Sequence, residues 1–133
     1  MFSDCANLTQ APELPATALA YGCYYEMFSY CANLTQAPEL PATALAYGCY
    51  CCMFYGCSSL TQAPELPATA LAEDCYLGMF QSCESLTQAS FPNLDKETVV
   101  SKVVEGQDTF TDAADNIETT CKNGILIINS TEV

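Results

Sequence analysis

The 133-residue chain contains no histidine, no arginine and only three lysines. Without histidine it lacks the commonest general base near neutral pH and the commonest zinc ligand. It also lacks an apolar run of about 18 residues, so no transmembrane helix is expected. Sixteen Asp and Glu leave a formal net charge of −13, which repels phosphate backbones and anionic lipid surfaces. We therefore expect neither nucleic-acid binding nor membrane insertion.

What the chain does contain is a repeated phrase, LTQAPELPATALA, at residues 8–20, 34–46 and 60–72. Each copy belongs to a 26-residue unit that opens on Met-Phe. A fixed period in the range of about 20–50 residues indicates a solenoid, whose units bury their apolar faces by stacking on one another. We predict a repeat array over residues 1–90, with units at 1–26, 27–52, 53–78 and 79–90, the last one partial.

Each unit combines a strand-like half with a helix-like half. Leu8, Ala11 and Leu14 have the spacing of a short strand, and the neighbouring prolines limit its length because proline cannot donate to a strand ladder. Thr17 would then cap a helix of about three turns. The apolar residues at helical spacing are Leu19, Cys23, Met27, Phe28 and Cys31. We predict an α/β solenoid of about four coils, each a short strand plus a helix.

The order Met27-Phe28-x-x-Cys31-x-x-Leu34, then Ala-Pro-Glu-Leu-Pro-Ala-Thr, then Cys49-Tyr50, closely resembles the BspA-like leucine-rich repeats of bacterial surface proteins. The match covers roughly residues 1–90. The unit departs from the commoner form by being longer and by placing Pro-Glu where an aliphatic strand residue is usual. The resemblance implies a leucine-rich-repeat solenoid, an extracellular or cell-surface location, and adhesion to host matrix proteins or to other cells.

The composition changes after Ser90-Phe91-Pro92, and residues 91–133 are expected to be degenerate coils that cap the stack. Asp95 would cap a helix that carries the stripe of Val99, Val100, Val103 and Val104 and stops at Gly106. Further predicted elements are an extended piece around 109–111, a helix from Asp112 to about Cys121, and a buried strand at 125–128. This order resembles the C-terminal ends of some bacterial and phage leucine-rich-repeat proteins.

Stacking at a constant period turns each repeated residue into a column. Two columns are cysteines, Cys5, Cys31, Cys57 and Cys83 in one and Cys23, Cys49 and Cys75 in the other. A ladder of buried small hydrophobes is the favoured interpretation. Disulfides come second, because parallel Cβ vectors disfavour bridges along a column, and metal binding comes third. Thiol catalysis would lack a base. We predict no catalytic residue, no cofactor and no metal site.

Two further columns are polar. Glu13, Glu39 and Glu65 form either a solvated rim, whose repulsion salt screens, or a row of weak Ca²⁺ sites. Gln10, Gln36 and Gln62, each after a threonine, form either a hydrogen-bond ladder between coils or a polar strip on the concave face that binds an extended partner. Both columns are candidates for an interaction surface.

The tyrosines lie in the second half of the units. Tyr24, Tyr50 and Tyr76 share one phase beside a cysteine and are expected to pack at the core edge. The others occupy varying phases and are expected at the surface, where tyrosine is a good interface anchor. These candidate interface residues are Tyr21, Tyr25, Tyr30, Tyr47 and Tyr55.

We expect a non-enzymatic binding or adhesion module of a secreted or surface-displayed protein. Its partner would be a host matrix protein, another cell-surface protein, or a second copy that docks on an uncapped N-terminal edge. Met1 shares the phase of Met27, which suggests either a fragment of a longer array or a short gene. The alternative is a structural spacer or assembly element of a larger particle, such as a phage virion. An enzyme is disfavoured because no pocket is evident.

Overall fold

A computed structural model describes residues 2–94, 96–104, 109, 120–122 and 125–127. The strands are β1 (Gln62–Glu65), β2 (Gln88–Ser90), β3 (Thr120–Lys122) and β4 (Ile125–Ile127). The helix α1 (Lys96–Thr98) continues into a π-helical turn at Val99–Val104. Residues 2–94 contain no helix. The predicted leucine-rich-repeat solenoid, with a strand and a helix in each of about four coils, is therefore wrong.

The four strands form one mixed sheet in the order β1-β2-β4-β3. β1 and β2 are parallel, and the register shifts between Gln62 and Glu65. β4 is antiparallel to both β2 and β3. The first two copies of the phrase form isolated parallel bridges instead, Gln10 with Gln36 and Ala18 with Ala44. The prolines thus limit the phrase to a few strand residues, as the sequence predicts.

Three segments, each of which follows one copy of the phrase, were expected to be helical and are instead runs of tight turns, at residues 21–33, 47–59 and 73–85. We call them the turn segments. In the first, every fourth residue has a left-handed backbone, with φ of 56° at Gly22, 52° at Glu26 and 59° at Tyr30. The other two turn segments repeat this spacing. A right-handed helix cannot continue through such residues.

Backbone hydrogen bonds explain why turns replace the helix. Alternate amides bond within the segment, as from the Cys23 N–H to the Ala20 carbonyl at 3.2 Å. The amides between them bond to the next layer, as from Tyr24 to the Cys49 carbonyl at 3.0 Å. A helix would satisfy its amides internally and would leave none to join layers. The turns therefore stack as a hydrogen-bonded ladder with a period close to one unit.

The core consists of the same side chain repeated in successive layers. Phe2, Phe28, Phe54 and Phe80 stack with ring centroids 5.5–5.6 Å apart. Tyr24, Tyr50 and Tyr76 stack at 5.9–6.0 Å. The rings are within about 11° of parallel, because each layer reproduces the backbone of the one before it. Leucine, methionine and cysteine columns complete this core.

After the partial unit at residues 79–90, the chain covers the end of the stack. Val99 and Val103 are buried, as the predicted stripe requires, and the Phe80 N–H donates to the Thr109 carbonyl at 2.9 Å. The predicted strand near the end is confirmed at Ile125–Ile127. The predicted helix to Cys121 is wrong at its end, since Thr120–Lys122 is a strand.

Residues 112–119, the predicted cap at Asp95 and the predicted stop at Gly106 lie outside the described residues. The division into an array at 1–90 and a cap at 91–133 stays a prediction. Neither helical segment among the described residues has the length and apolarity needed to span a membrane.

Candidate functional site

The turn segments direct one set of tyrosines into the core and another to the surface. Tyr50 and Tyr76 are 1% and 0% exposed. By contrast, the exposed fraction is 76% for Tyr21, 54% for Tyr25, 53% for Tyr30 and 43% for Tyr47. Tyr55 is half-buried beside Tyr30. We call these five outward residues the tyrosine ridge: Tyr21, Tyr25, Tyr30, Tyr47 and Tyr55.

Contacts between neighbouring layers hold the ridge in place. The rings of Tyr21 and Tyr47 stack in parallel with centroids 5.1 Å apart. Tyr30 and Tyr55 meet edge-to-face at 5.2 Å, and the hydrogen bond between them raises the pKa of Tyr30. Paired rings lose little additional rotamer freedom when a partner binds, because each already restricts the other.

The charges around the ridge are acidic. Tyr47 donates a hydrogen bond to Asp74, and this bond, with the charge of Asp74, raises the pKa of the Tyr47 hydroxyl. The charge of Glu26, with a hydrogen bond to it, raises the pKa of Tyr25. Residues 2–94 contain eight Asp and Glu and no Lys, Arg or His. The ridge therefore presents aromatic rings in a negative field.

The predicted glutamine and glutamate columns lie together on a different surface. Both columns are exposed and line two grooves, of about 540 Å³ between the first and second copies of the phrase and about 700 Å³ between the second and third. Their walls also contain prolines, including Pro12, Pro38 and Pro64. We call this surface the proline groove, and no ridge tyrosine lines it.

Two of the threonines that precede the glutamines donate side-chain hydrogen bonds to the layer before them. Thr35 Oγ1 donates to the Thr9 carbonyl at 3.1 Å, and Thr87 Oγ1 donates to the Thr61 carbonyl at 2.9 Å. These bonds join one layer to the next, as the hydrogen-bond-ladder interpretation of this column expects.

The structure contains no disulfide among the nine cysteines from Cys5 to Cys83. In one column the sulfurs donate to backbone carbonyls of the preceding layer, Cys57 to Phe28 at 3.1 Å and Cys83 to Phe54 at 3.0 Å. Burial raises the pKa of Cys57 to about 12, so this thiol stays neutral at physiological pH. The column behaves as small hydrophobic side chains, which was the favoured interpretation. Within the described ranges, no three His, Cys, Asp or Glu side chains are placed to share a metal ion.

Sequence reasoning missed two features. The prolines of the phrase were treated only as limits on strand length, yet they form the walls of the groove. Cys51 and Cys52 were left outside the columns, yet their sulfurs approach to 3.7 Å. The signal for the second feature was present, because these two positions differ in all three units.

Comparisons of the chain with protein-family models, curated proteins and solved structures give no match. The resemblance to BspA-like repeats therefore gains no support from relatives. The leucine-rich-repeat character that it implied is corrected by the turn segments, which occupy the place of the helices. Adhesion and a cell-surface location depended on that resemblance, so adhesion is not carried further and the extracellular location stays an untested prediction.

Proposed function

We propose that the chain is a non-enzymatic protein-binding module that engages a positively charged partner through the tyrosine ridge. The observation that carries the proposal is the set of large apolar side chains that the described residues expose. Its members, Tyr21, Tyr25, Tyr30 and Tyr47, all belong to the ridge. These tyrosines make two ring pairs, Tyr21 with Tyr47 and Tyr30 with Tyr55. Paired exposed aromatic residues are characteristic of interfaces, whereas scattered ones are ordinary surface.

The charge of the partner follows from the surroundings of the ridge. Lys and Arg are attracted to the faces of tyrosine rings by roughly 0.5–1 kcal/mol at exposed sites. Glu26 and Asp74 contact ridge hydroxyls and would add electrostatic attraction for the same cations. An overall charge of −13 favours fast encounter with a basic protein and disfavours an acidic one.

The test is a calorimetric titration of the full chain with a lysine- and arginine-rich peptide, at low and at physiological salt. We expect the double variant Tyr21→Ala, Tyr47→Ala to bind about tenfold more weakly, because two exposed rings are lost. Tyr21→Phe with Tyr47→Phe keeps the rings and should retain most of the affinity. A glutamate-rich peptide of equal length should not bind.

The matched control removes charge from the other surface. The triple variant Glu13→Gln, Glu39→Gln, Glu65→Gln leaves the ridge intact and should reduce affinity only by the general loss of negative charge. If this variant loses binding while the double alanine variant retains it, the ridge proposal is wrong and the proline groove is the binding surface.

Self-association is the second candidate, and the first layer supplies the observation that favours it. Phe2, Leu8 and Tyr24 are half-buried there, while their equivalents one unit later, such as Phe28, Leu34 and Tyr50, are at most 1% exposed. A layer from a second copy of the chain would cover this apolar surface, which is the kind of contact that an assembly element makes.

Hydrogen-bond polarity argues against pairing two such ends. The carbonyls of Tyr47, Cys49 and Cys51 accept amides from the preceding layer. The equivalent carbonyls of the first layer belong to Tyr21, Cys23 and Tyr25, and in the part of the chain that the structure describes no layer precedes them. Two copies meeting at this end would oppose acceptor to acceptor. We expect a monomer in sedimentation equilibrium, and a stable symmetric dimer would instead support the assembly role.

A further inference from the structure

Cys51 and Cys52 differ from the column cysteines in what their sulfurs contact. The column sulfurs of Cys31 and Cys57 donate to backbone carbonyls. The Cys51 sulfur instead points to the Cys52 sulfur, 3.7 Å away. Cys51 is 8% exposed and Cys52 is half-buried, so the pair lies just beneath the surface with one sulfur at its edge.

Packing does not account for two thiols at these positions. The equivalent residues are Tyr25 and Glu26 one unit earlier and Leu77 and Gly78 one unit later. The backbone is the same in all three layers, with positive φ at Glu26, Cys52 and Gly78. A core column would demand one kind of side chain, as it does at Cys49 and Cys75. The paired thiols are therefore a feature of one layer of the stack.

The spacing of the sulfurs suits a bridging atom better than a disulfide. Adjacent Cα atoms across a trans peptide are about 3.8 Å apart, below the usual 4.4–6.8 Å of disulfides. With sulfur bonds of about 2.3 Å, as in zinc thiolates, the 3.7 Å separation corresponds to an angle of roughly 110° at a bridging atom. That angle is close to the angles of pyramidal and tetrahedral centres and far from that of a linear centre.

We propose that Cys51 and Cys52 form a bidentate dithiol site for trivalent arsenic that carries one organic group. Such a centre needs two sulfurs, since its third bond is to carbon. A structural zinc site needs four ligands, and among the described residues no third Cys, Asp or Glu joins the pair. The ligand set is therefore complete for the arsenical and incomplete for zinc.

Binding is a substitution without a redox change. An organoarsenous acid, R–As(OH)₂, reacts with two thiols to form two As–S bonds and break two As–O bonds. The two hydroxyl groups leave with the two thiol protons as water, and arsenic stays trivalent. The reagent is uncharged, which suits a pair whose neighbours include Glu26 and Asp74. Burial raises the pKa of Cys51 to about 12, so this thiol is protonated before the reaction and its proton leaves in the water that forms.

Gly78 leaves space for the outer sulfur. A Cβ placed on Gly78 would stand 3.2 Å from the Cys52 sulfur, closer than ordinary contact. The same position holds Cys52 in the layer before, so a side chain is compatible with this backbone. The missing side chain at Gly78 therefore gives the Cys52 sulfur room to turn toward a bridging atom.

The test treats the reduced full chain with phenylarsonous acid and measures intact mass, with peptide fragmentation to locate the adduct. We expect one arsenical per chain across Cys51 and Cys52, stable to an excess of monothiol and removed by a dithiol. Cys51→Leu and Cys52→Gly introduce the residues of the next layer and should fold. Each should lose the stable adduct, with dissociation in monothiol at least about tenfold faster, because chelation is lost.

Cys23→Ser is the control, since Cys23 is an exposed thiol in a neighbouring layer, and it should bind as the original chain does. Thermal unfolding of each variant verifies that it folds. A stable adduct that persists in both Cys51→Leu and Cys52→Gly, or one that maps to other cysteines, overturns the assignment. So does failure of the folded, reduced chain to retain any arsenical in monothiol.

Discussion

The first and third copies of LTQAPELPATALA have the same thirteen residues but different structures. In the third copy Gln62–Glu65 forms β1, and Leu66 and Ala68 are fully buried. In the first copy Gln10 makes an isolated bridge, Leu14 is half-buried and Ala16 is exposed. The second copy is close to the third in burial, with Leu40 at 2% and Ala42 at 1%.

Neighbouring layers, and not local propensity, therefore determine the structure of the phrase. The third copy has the second copy on one side and β2 on the other. The first has only the second copy beside it within the described residues. Stability in such a stack is approximately the sum of contributions from each layer and its interfaces. Substituting the same residue in different copies therefore measures the contribution of the neighbours directly.

The largest expected effect comes from the leucine of the phrase. Leu66→Ala leaves a cavity in a fully buried position and should lower the free energy of unfolding by about 3 kcal/mol. Leu14→Ala, at a half-buried position, should cost about 1 kcal/mol or less. Urea unfolding of both variants gives the comparison. Equal losses would mean that the first layer is as well covered as the third.

A second effect appears at alkaline pH in the buried cysteine column. The pKa of Cys57 is raised from 9.0 to about 12 by burial, so the native thiol keeps its proton while the unfolded thiol loses it. The contribution of the Cys57 thiol to the free energy of unfolding is fully present below pH 9. As the pH rises above 9, this contribution is lost by about 1 kcal/mol per pH unit. Stability should fall from pH 9 toward 11, and Cys57→Ala should make that fall shallower.

The matched control for this pH effect is Leu60→Ala, a fully buried position without a titratable group. Its cost should be the same at pH 7 and pH 10.5. A Cys57→Ala variant whose stability declines with pH as steeply as that of the original chain would show that Cys57 ionises alike in both states.

A third effect separates backbone strain from contact. Gly48 and Gly56 both have positive φ, 60° and 73°. A Cβ on Gly48 meets nothing within 4 Å, whereas one on Gly56 would lie 2.8 Å from the Tyr30 ring. Gly48→Ala should therefore cost about 1 kcal/mol, and Gly56→Ala roughly 2 kcal/mol, because Tyr30 must also move. Thermal unfolding measures the loss of stability in both variants. Equal losses would mean that the contact with Tyr30 adds no cost at position 56.

Much of the core was predictable because stacking at a constant period depends on the repeat alone. The sequence predicts that Tyr50 and Tyr76 pack inside while Tyr21, Tyr25 and Tyr47 lie outside, and their exposed fractions agree with this. The tyrosine column that packs inside holds one residue type in all three units, whereas the outward positions of Tyr25 and Tyr47 change to Leu77 and Glu73 in the third unit. Variation alone did not identify the surface, because the exposed glutamine and glutamate columns are invariant and Cys51, at a variable position, is buried.

The helix was predicted wrongly because two structures share one spacing. A turn that repeats every four residues places residues such as Tyr24 and Phe28 on one side, as an α-helix of 3.6 residues per turn does. The distinguishing signal lay in the glycines. Each of the three left-handed positions holds glycine in at least one layer, at Gly48, Gly56 and Gly78, and left-handed turns favour glycine.

The candidate surfaces were predicted only in part. The columns that form the ridge and the groove were recognisable, since each follows from the period. Their separation was not, because it depends on how the turn segments and the phrase lie around each layer. The sequence marked Cys51 and Cys52 only as two neighbouring positions that differ in all three units. The distance between their sulfurs depends on side-chain directions at one left-handed turn, which no pattern of residue types specifies.

The smallest effect returns to the phrase and its threonine. Thr35 Oγ1 donates to the Thr9 carbonyl at 3.1 Å, while Thr9 has no preceding layer to bond within the described residues. Thr35→Val keeps the branched shape and removes an exposed hydrogen bond, so it should cost about 0.5–1 kcal/mol. Thr9→Val should stay within about 0.5 kcal/mol of zero. Urea unfolding measures the loss of stability in both variants. An equal loss in Thr9→Val and Thr35→Val would mean that the threonine hydroxyl acts within its own layer. The threonine column would then contribute nothing to the hydrogen-bond ladder between copies of the phrase.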